Sequence, residues 1–296
     1  MKARIILSNA DFSANNIGKY VALSDFTKKV LSKQTQYSEE SDEADALNIF
    51  LNHLTEDGFI GGESPLLKTL IIPGLASDHS ELLYDIAYLD GNGYPTNVMS
   101  VGEAGATEAN RVYRPVLDAN NRIVALQRYA VSTMDATTAK AQANIDNRAF
   151  RLLNAGVANN GQQKPFSIVM YIHNAVSNTY WQNPSGSFAL SRTTIADYNV
   201  LSQTFATMVK FGIFNYNKTN TRFEGTVDGT SFEGTSGSPV LYKTSDAWNT
   251  TWLGPYSYSD KPEVSLFAMG DYIPPEKHSA LKGYVETFLT AIHANI

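Results

Sequence analysis

Two stretches of the chain carry apolar residues at helical spacing, and much of the remainder sets them in short alternating runs. Within residues 41–55, Leu47, Phe50, Leu51 and Leu54 fall at i, i+3, i+4 and i+7, which puts them on one face of a helix. Asp42, Glu43 and Asp45 crowd its first turns, where carboxylates complement the positive end of the helix dipole, and Gly58 offers a left-handed stop. Farther on, Leu281, Val285, Phe288, Leu289 and Ile292 form a second stripe behind Pro274-Pro275 and Glu276, predicting a helix over 275–293 that covers the fold.

The other segments read as strands. Residues 3–8 open the chain, 67–72 run into Pro73-Gly74, and 81–89 continue as a strand or short helix up to the turn Asp90-Gly91-Asn92-Gly93. Residues 112–117 and 123–131 flank Asp118-Ala119-Asn120-Asn121 as a hairpin, with Pro115 confining its first strand to an edge. An Ala-rich helical turn is expected at 137–147. The clearest alternation is 166–173, with Phe166, Ile168, Met170 and Ile172 on one face and Ser167, Val169, Tyr171 and His173 on the other. Shorter candidates follow at 187–190, 204–214, 222–227, 240–242 and 264–269. Recurrent strands separated by Gly, Asn and Ser turns predict a mainly β sandwich; a βαβ array would need a helix after each strand.

Composition narrows the chemistry. With 296 residues, 43% apolar, 18% charged and no Cys, the chain has ordinary globular make-up and no thiolate nucleophile, disulfide or Cys-based metal site. The N-terminus shows no cleavable signal pattern, and the apolar runs are too short to span a membrane, so a soluble chain is expected. The net charge of -6 is local: between Tyr37 and Glu63 lie eight acids and no Lys or Arg, while the remaining 21 acids face 23 bases. No basic stripe is present to neutralise phosphates, which argues against nucleic acid as a partner. The acidic run reads as a solvated helix start, and as an attachment point it would meet a partner bearing Lys or Arg.

Candidate sites are few. Gly234-Thr235-Ser236-Gly237-Ser238-Pro239 resembles the nucleophile loop of chymotrypsin-like serine proteases, and His173, Asp197 and Ser236 fill the order His, Asp, Ser. The spacing from His173 to Ser236 is too short for that fold, and the string sits in a Gly/Thr/Ser-rich turn series, so a plain hairpin loop is the stronger reading. The five histidines are scattered, with His53 and His278 expected near helix surfaces, and neither a metal nor another cofactor is called for. Glu224, Asp228 and Glu233 are the acids closest to a hydrolytic set, without paired spacing. Tyr180, Trp181, Trp248, Trp252, Tyr256 and Tyr258 lie in polar, Gly/Pro/Ser/Asn-rich contexts that read as loops, where flat amphipathic rings suit contact with a glycan or another protein.

Three segments together resemble phage and gut-bacterial virion-associated proteins with a laminin-G-like, concanavalin-A-like jelly roll. They are residues 50–85, with Phe59-Ile60 and Leu70-Ile71-Ile72-Pro73-Gly74; the 166–173 strand and the glycine-rich strands after it; and Val264-Ser265-Leu266-Phe267-Ala268-Met269-Gly270 leading into the terminal helix. The string Ala10-Asp11-Phe12-Ser13-Ala14-Asn15-Asn16-Ile17-Gly18 resembles a lead-in of such proteins. The resemblance implies a concanavalin-A-like jelly-roll sandwich over 63–296, an N-terminal strand-helix attachment module over 1–62, and an insertion at 90–150 that falls outside it. It further implies a non-enzymatic fibre, decoration or tail component in the virion, assembled in the bacterial cytoplasm, oligomeric, contacting other virion proteins and cell-surface glycans, with no membrane partner. That fold also hosts glucanases, but their Glu-x-Asp-x-Glu strand is absent here, which leaves a carbohydrate-active hydrolase second and a serine protease third.

Overall fold

The computed structural model describes residues 22–97, 113–128, 166–173, 179–183, 186–190, 194–197, 201–204, 211–217, 222–235 and 263–294. Among these, three helices are α1 (Asp25–Leu31), α2 (Asp42–Glu56) and α3 (His278–Ala291). The strands are β1 (Leu67–Ile71), β2 (Tyr84–Leu89), β3 (Pro95–Asn97), β4 (Tyr113–Leu117), β5 (Ile123–Arg128), β6 (Phe166–His173), β7 (Thr179–Asn183), β8 (Gly186–Leu190), β9 (Thr194–Asp197), β10 (Leu201–Thr204), β11 (Phe211–Asn217), β12 (Arg222–Val227), β13 (Thr230–Thr235) and β14 (Glu263–Asp271). The chain is mainly β and antiparallel with a C-terminal helix, as the apolar pattern predicts. The strands expected at 3–8 and 240–242 and the helical turn at 137–147 lie outside the described residues.

The large sheet runs β13-β12-β11-β6-β14-β1-β2-β3, with β5 also pairing β14 and β4 pairing β5. A smaller sheet runs β10-β9-β8-β7. β14 is the hub. It pairs β6 along its whole length, while its other edge is shared by β5 at Glu263 and Val264 and by β1 from Phe267 to Gly270. Ser265 lies at the seam between those two partners, fully buried, and its hydroxyl donates to Val124 O at 3.0 Å. Seven consecutive residues, Val264 to Gly270, are buried, so both faces of β14 are covered. β6 is likewise closed on both sides, with Ile168, Val169, Met170, Tyr171 and Ile172 all buried. Pro115 sits on β4, an edge strand among the described residues, where its missing N–H is no loss.

The helices cover one face of this sheet. Ser41 caps α2 by accepting from Ala44 N at 3.1 Å, and Gly58 leaves the helix at φ 72°. Leu47, Phe50, Leu51 and Leu54 are buried as their spacing requires, and Phe50 stacks on Phe288 of α3 with centroids 4.4 Å apart. Leu281, Val285, Phe288, Leu289 and Ile292 join the same cluster as Leu70, Val169, Ile213 and Ala268 of the sheet. Leu23, Val30, Tyr37, Phe59 and Ile60 belong to that cluster too. Polar side chains complete the joins. Buried Asn48 accepts from Ser24 N and Thr27 Oγ1, tying α1 to α2. Gln36 donates to Gly74 O and Ile123 O and accepts from Ile123 N, holding the start of β5.

Backbone approach is tightest at Gly270. A Cβ there would lie 1.9 Å from Leu66 O and 2.7 Å from Leu67 Cα, at the register shift between β14 and β1. Gly91, in the β2–β3 turn, has open space around the same atom. Gly270→Ala is therefore expected to lower the unfolding free energy by about 3 kcal/mol, and Gly91→Ala by less than about 0.5 kcal/mol. Urea denaturation of both variants at unchanged m-value checks this difference.

Candidate functional site

Cross-strand register assembles a polar line that no single segment of sequence contains. Glu233 on β13 stands opposite Glu224 on β12, Glu224 opposite Asn215 on β11, Asn215 opposite Ser167 on β6, and Ser167 opposite Gly270 on β14. Because residues directly opposite share a face, the four side chains form one row across the sheet on the side that α3 covers. The chain leaving β14 passes over this row as Tyr272-Ile273-Pro274 before entering α3.

The inner half of the row grips that crossing. Ile273 N donates to Ser167 Oγ at 2.7 Å, and Ser167 Oγ donates in turn to Asn215 Oδ1. Asn215 Nδ2 donates to Ile273 O at 2.6 Å, and His278 Nε2 lies 3.0 Å from the same carbonyl. The same Nε2 lies 3.1 Å from Asn215 Nδ2, and Nδ1 lies 3.3 Å from Thr226 Oγ1. His278 is buried, contrary to the helix-surface position expected for it, because the first turn of α3 presses onto the sheet. Burial holds its pKa below the usual histidine value of 6.5, against smaller opposing effects of the Ile273 carbonyl and the Glu224 and Glu276 charges. The side chains of Ser167 and Asn215 thus hold both backbone polar groups of Ile273, with His278 packed beside its carbonyl.

The outer half of the row faces solvent. Glu224 is half-buried and accepts a hydrogen bond from the Tyr272 hydroxyl, while Glu233 is exposed. Side chains directly opposite in an antiparallel pair have Cβ atoms about 4.5–5.5 Å apart, close enough for two carboxylates to act on one ligand. Asp228, the third acid of the expected set, is not part of this pair: it occupies the β12–β13 turn at φ 48°, where its carboxylate accepts from Phe211 N at 2.8 Å.

The other expected site residues are placed as follows. Tyr180 and Trp181 lie on strand β7, not in a loop, and register puts Tyr180 opposite Ala189 and Trp181 opposite Phe188. Trp248, Trp252, Tyr256, Tyr258 and Ser236 lie outside the described residues. His173 ends β6 opposite Glu263, whereas Asp197 belongs to the small sheet, opposite Phe188 and Leu201. His53 stacks on Tyr284 of α3 at 4.6 Å between centroids. Among the described residues no three His, Asp or Glu side chains are grouped to hold a metal ion, and no helix is long and apolar enough to cross a membrane. Sequence reading passed over Ser167 and Asn215, and the one available signal was a polar residue inside an otherwise apolar strand, as in Phe211-Gly212-Ile213-Phe214-Asn215.

A neutral His278 fixes the sign of a pH effect. With its folded pKa below 6.5, its contribution is whole above about pH 6.5 and is lost as pH falls through the folded value. His278→Gln keeps a nitrogen donor without the titration. The wild type is expected to lose stability relative to this variant between about pH 7.5 and about pH 5, as measured by denaturant unfolding of both proteins; a constant difference would mean that His278 is not held neutral.

No protein-family model matches the chain, and no curated protein does. Among solved structures it is similar to the NanB sialidase of Streptococcus pneumoniae, at 12% identity and a TM-score of 0.33, over 44% of this chain and 25% of that one. A Trypanosoma rangeli sialidase mutant displaying trans-sialidase activity matches at 10% identity and TM-score 0.41, over 84% of this chain and 38% of that one. The binding domain of botulinum neurotoxin DC, solved with rat synaptotagmin II, matches at 8% and 0.37, over 75% and 52%. The chain thus spans about half or less of the length of each of these proteins, and likeness at this level assigns it neither activity nor ligand.

Proposed function

We propose that the chain is a non-enzymatic, adhesive or structural component of a bacteriophage virion, a fibre, decoration or tail protein that binds through its small sheet. The observation that carries this reading is the register of β7–β10. Trp181, Phe188, Asp197 and Leu201 occupy one row across four strands, with Tyr180 adjacent on β7. Aromatic rings stack on sugars or pack against protein at low entropic cost. The resemblance to jelly-roll virion proteins supplies the context: other virion proteins and cell-surface glycans as partners, self-association into an oligomer, and assembly in the bacterial cytoplasm.

A second reading rests on Glu224 and Glu233. Their opposition across β12 and β13 sets two carboxylates on one face of the sheet, and retaining glycosidases work through such a pair, so a carbohydrate-active hydrolase is the alternative.

One set of measurements separates them. Glycan-array binding and solution mass are expected to show an oligomer that retains glycans, with Trp181→Ala weakening retention at least about tenfold at unchanged melting temperature. A monomer that binds neither glycans nor virion proteins would overturn the adhesive role. Release of reducing sugar from a polysaccharide panel, abolished by Glu224→Gln, would establish the hydrolase in its place.

A further inference from the structure

The β2–β3 hairpin is joined to the rest of the sheet at a single register point. Between β1 and β2 the ladder pairs Ile71 with Asp85, and the Asp85 side chain supplies further bonds, its Oδ1 accepting from Leu70 N at 2.8 Å and Ala87 N at 2.9 Å. The carboxyl is fully buried, and its second oxygen, Oδ2, has no hydrogen-bond partner. The equally buried hydroxyl of Thr69 is its polar neighbour on β1 and makes no other hydrogen bond. Across the ladder from β1 the residues are Phe267 and Met269, both apolar and buried.

Among the described residues no cation pairs with the carboxyl. Of the charged groups on β1, β2, β3 and β14, Lys68 and Asp271 pair with each other at 3.4 Å, and Glu263 stands at the opposite end of β14. The remaining titratable groups on these elements are the phenols of Tyr84 and Tyr88. The hairpin tip is held by different chemistry: Tyr94 lies beneath the ammonium groups of Lys29 and Lys33, 5.2 and 5.3 Å from its ring centre, and Lys29 Nζ donates to Asn92 O at 2.7 Å.

We propose that Asp85 is a protonation latch: as the neutral acid it fastens the base of the β2–β3 hairpin to β1, and loss of its proton releases that base while the tip stays tied to α1. An ionised carboxylate in this apolar layer is penalised by burial more heavily than the amides of Leu70, Ala87 and Tyr88 and the Thr69 hydroxyl can offset, so the proton is retained far above the ordinary carboxylate range. Burial raises the pKa from 3.8 to about 7. The folded state therefore binds the proton more tightly than the unfolded chain, and the latch is whole below about pH 4 and lost as pH rises through about 7.

Amide hydrogen exchange, corrected for the intrinsic rate, reads the latch directly. Protection of residues 84–97 relative to β6 is expected to fall about tenfold between about pH 5.5 and about pH 8.5 in the wild type, and to stay level in Asp85→Asn. Wild-type protection that does not change with pH, or the same fall in Asp85→Asn, would overturn the proposal. Should that variant not fold, the carbon-13 titration of the wild-type Asp85 carboxyl decides: a midpoint near pH 7 that coincides with the loss of protection supports the latch, and one below about pH 5 removes it.

Discussion

The structure depends on burying β14 on both faces. A strand shut away from water must pair its backbone groups on both edges, since an unpaired N–H or C=O there is costly. β6 meets that demand along one edge. The other edge is longer than β1, and the chain fills the difference with β5, leaving Ser265 and Val124 to close the seam. The position of the β4–β5 hairpin, the reach of Gln36 toward Ile123, and the absence of a side chain at Gly270 all follow from this one strand.

The polar line over β13, β12, β11 and β6 shows a division of labour within one row. Its buried half stabilises a chain reversal, where the peptide of Ile273 would otherwise bring an unpaired donor and acceptor into the core. Its outer half ends in carboxylates near solvent. Residues that look chemically reactive by type, a serine, a histidine and an asparagine, are here consumed in architecture, and the two glutamates opposite each other at the outer end of the row are nine positions apart in sequence.

Local pattern made much of this fold legible. α2, α3, β6, β12 and β14 declare themselves through apolar spacing, and Pro115 correctly marks an edge, because each depends on residues close together in the chain. What could not be read is register. Glu224 faces Glu233 only because β12 and β13 turn at Asp228-Gly229 without a slip; a shift of one residue would send them to opposite faces. Trp181 looked like a loop residue because Asn, Gly, Pro and Ser surround it, yet Tyr180 and Trp181 both belong to strand β7, where they pair with β8. The burial of His278 was hidden for a similar reason: its surroundings are set by Asn215 and Thr226, which lie more than fifty residues earlier.

The hydrogen bond from the Tyr37 hydroxyl to Ile292 O, 2.9 Å long and spanning 255 positions of sequence, carries a consequence for biosynthesis. α2 completes its apolar face against α3, so during translation Phe50 and Leu54 wait, uncovered, until more than two hundred further residues have been made. At about 5–20 residues per second in a growing chain, that wait lasts roughly ten seconds or more. The first helices therefore gain the cover of α3 late, and until then the apolar face that Phe50 and Leu54 present lacks its partner.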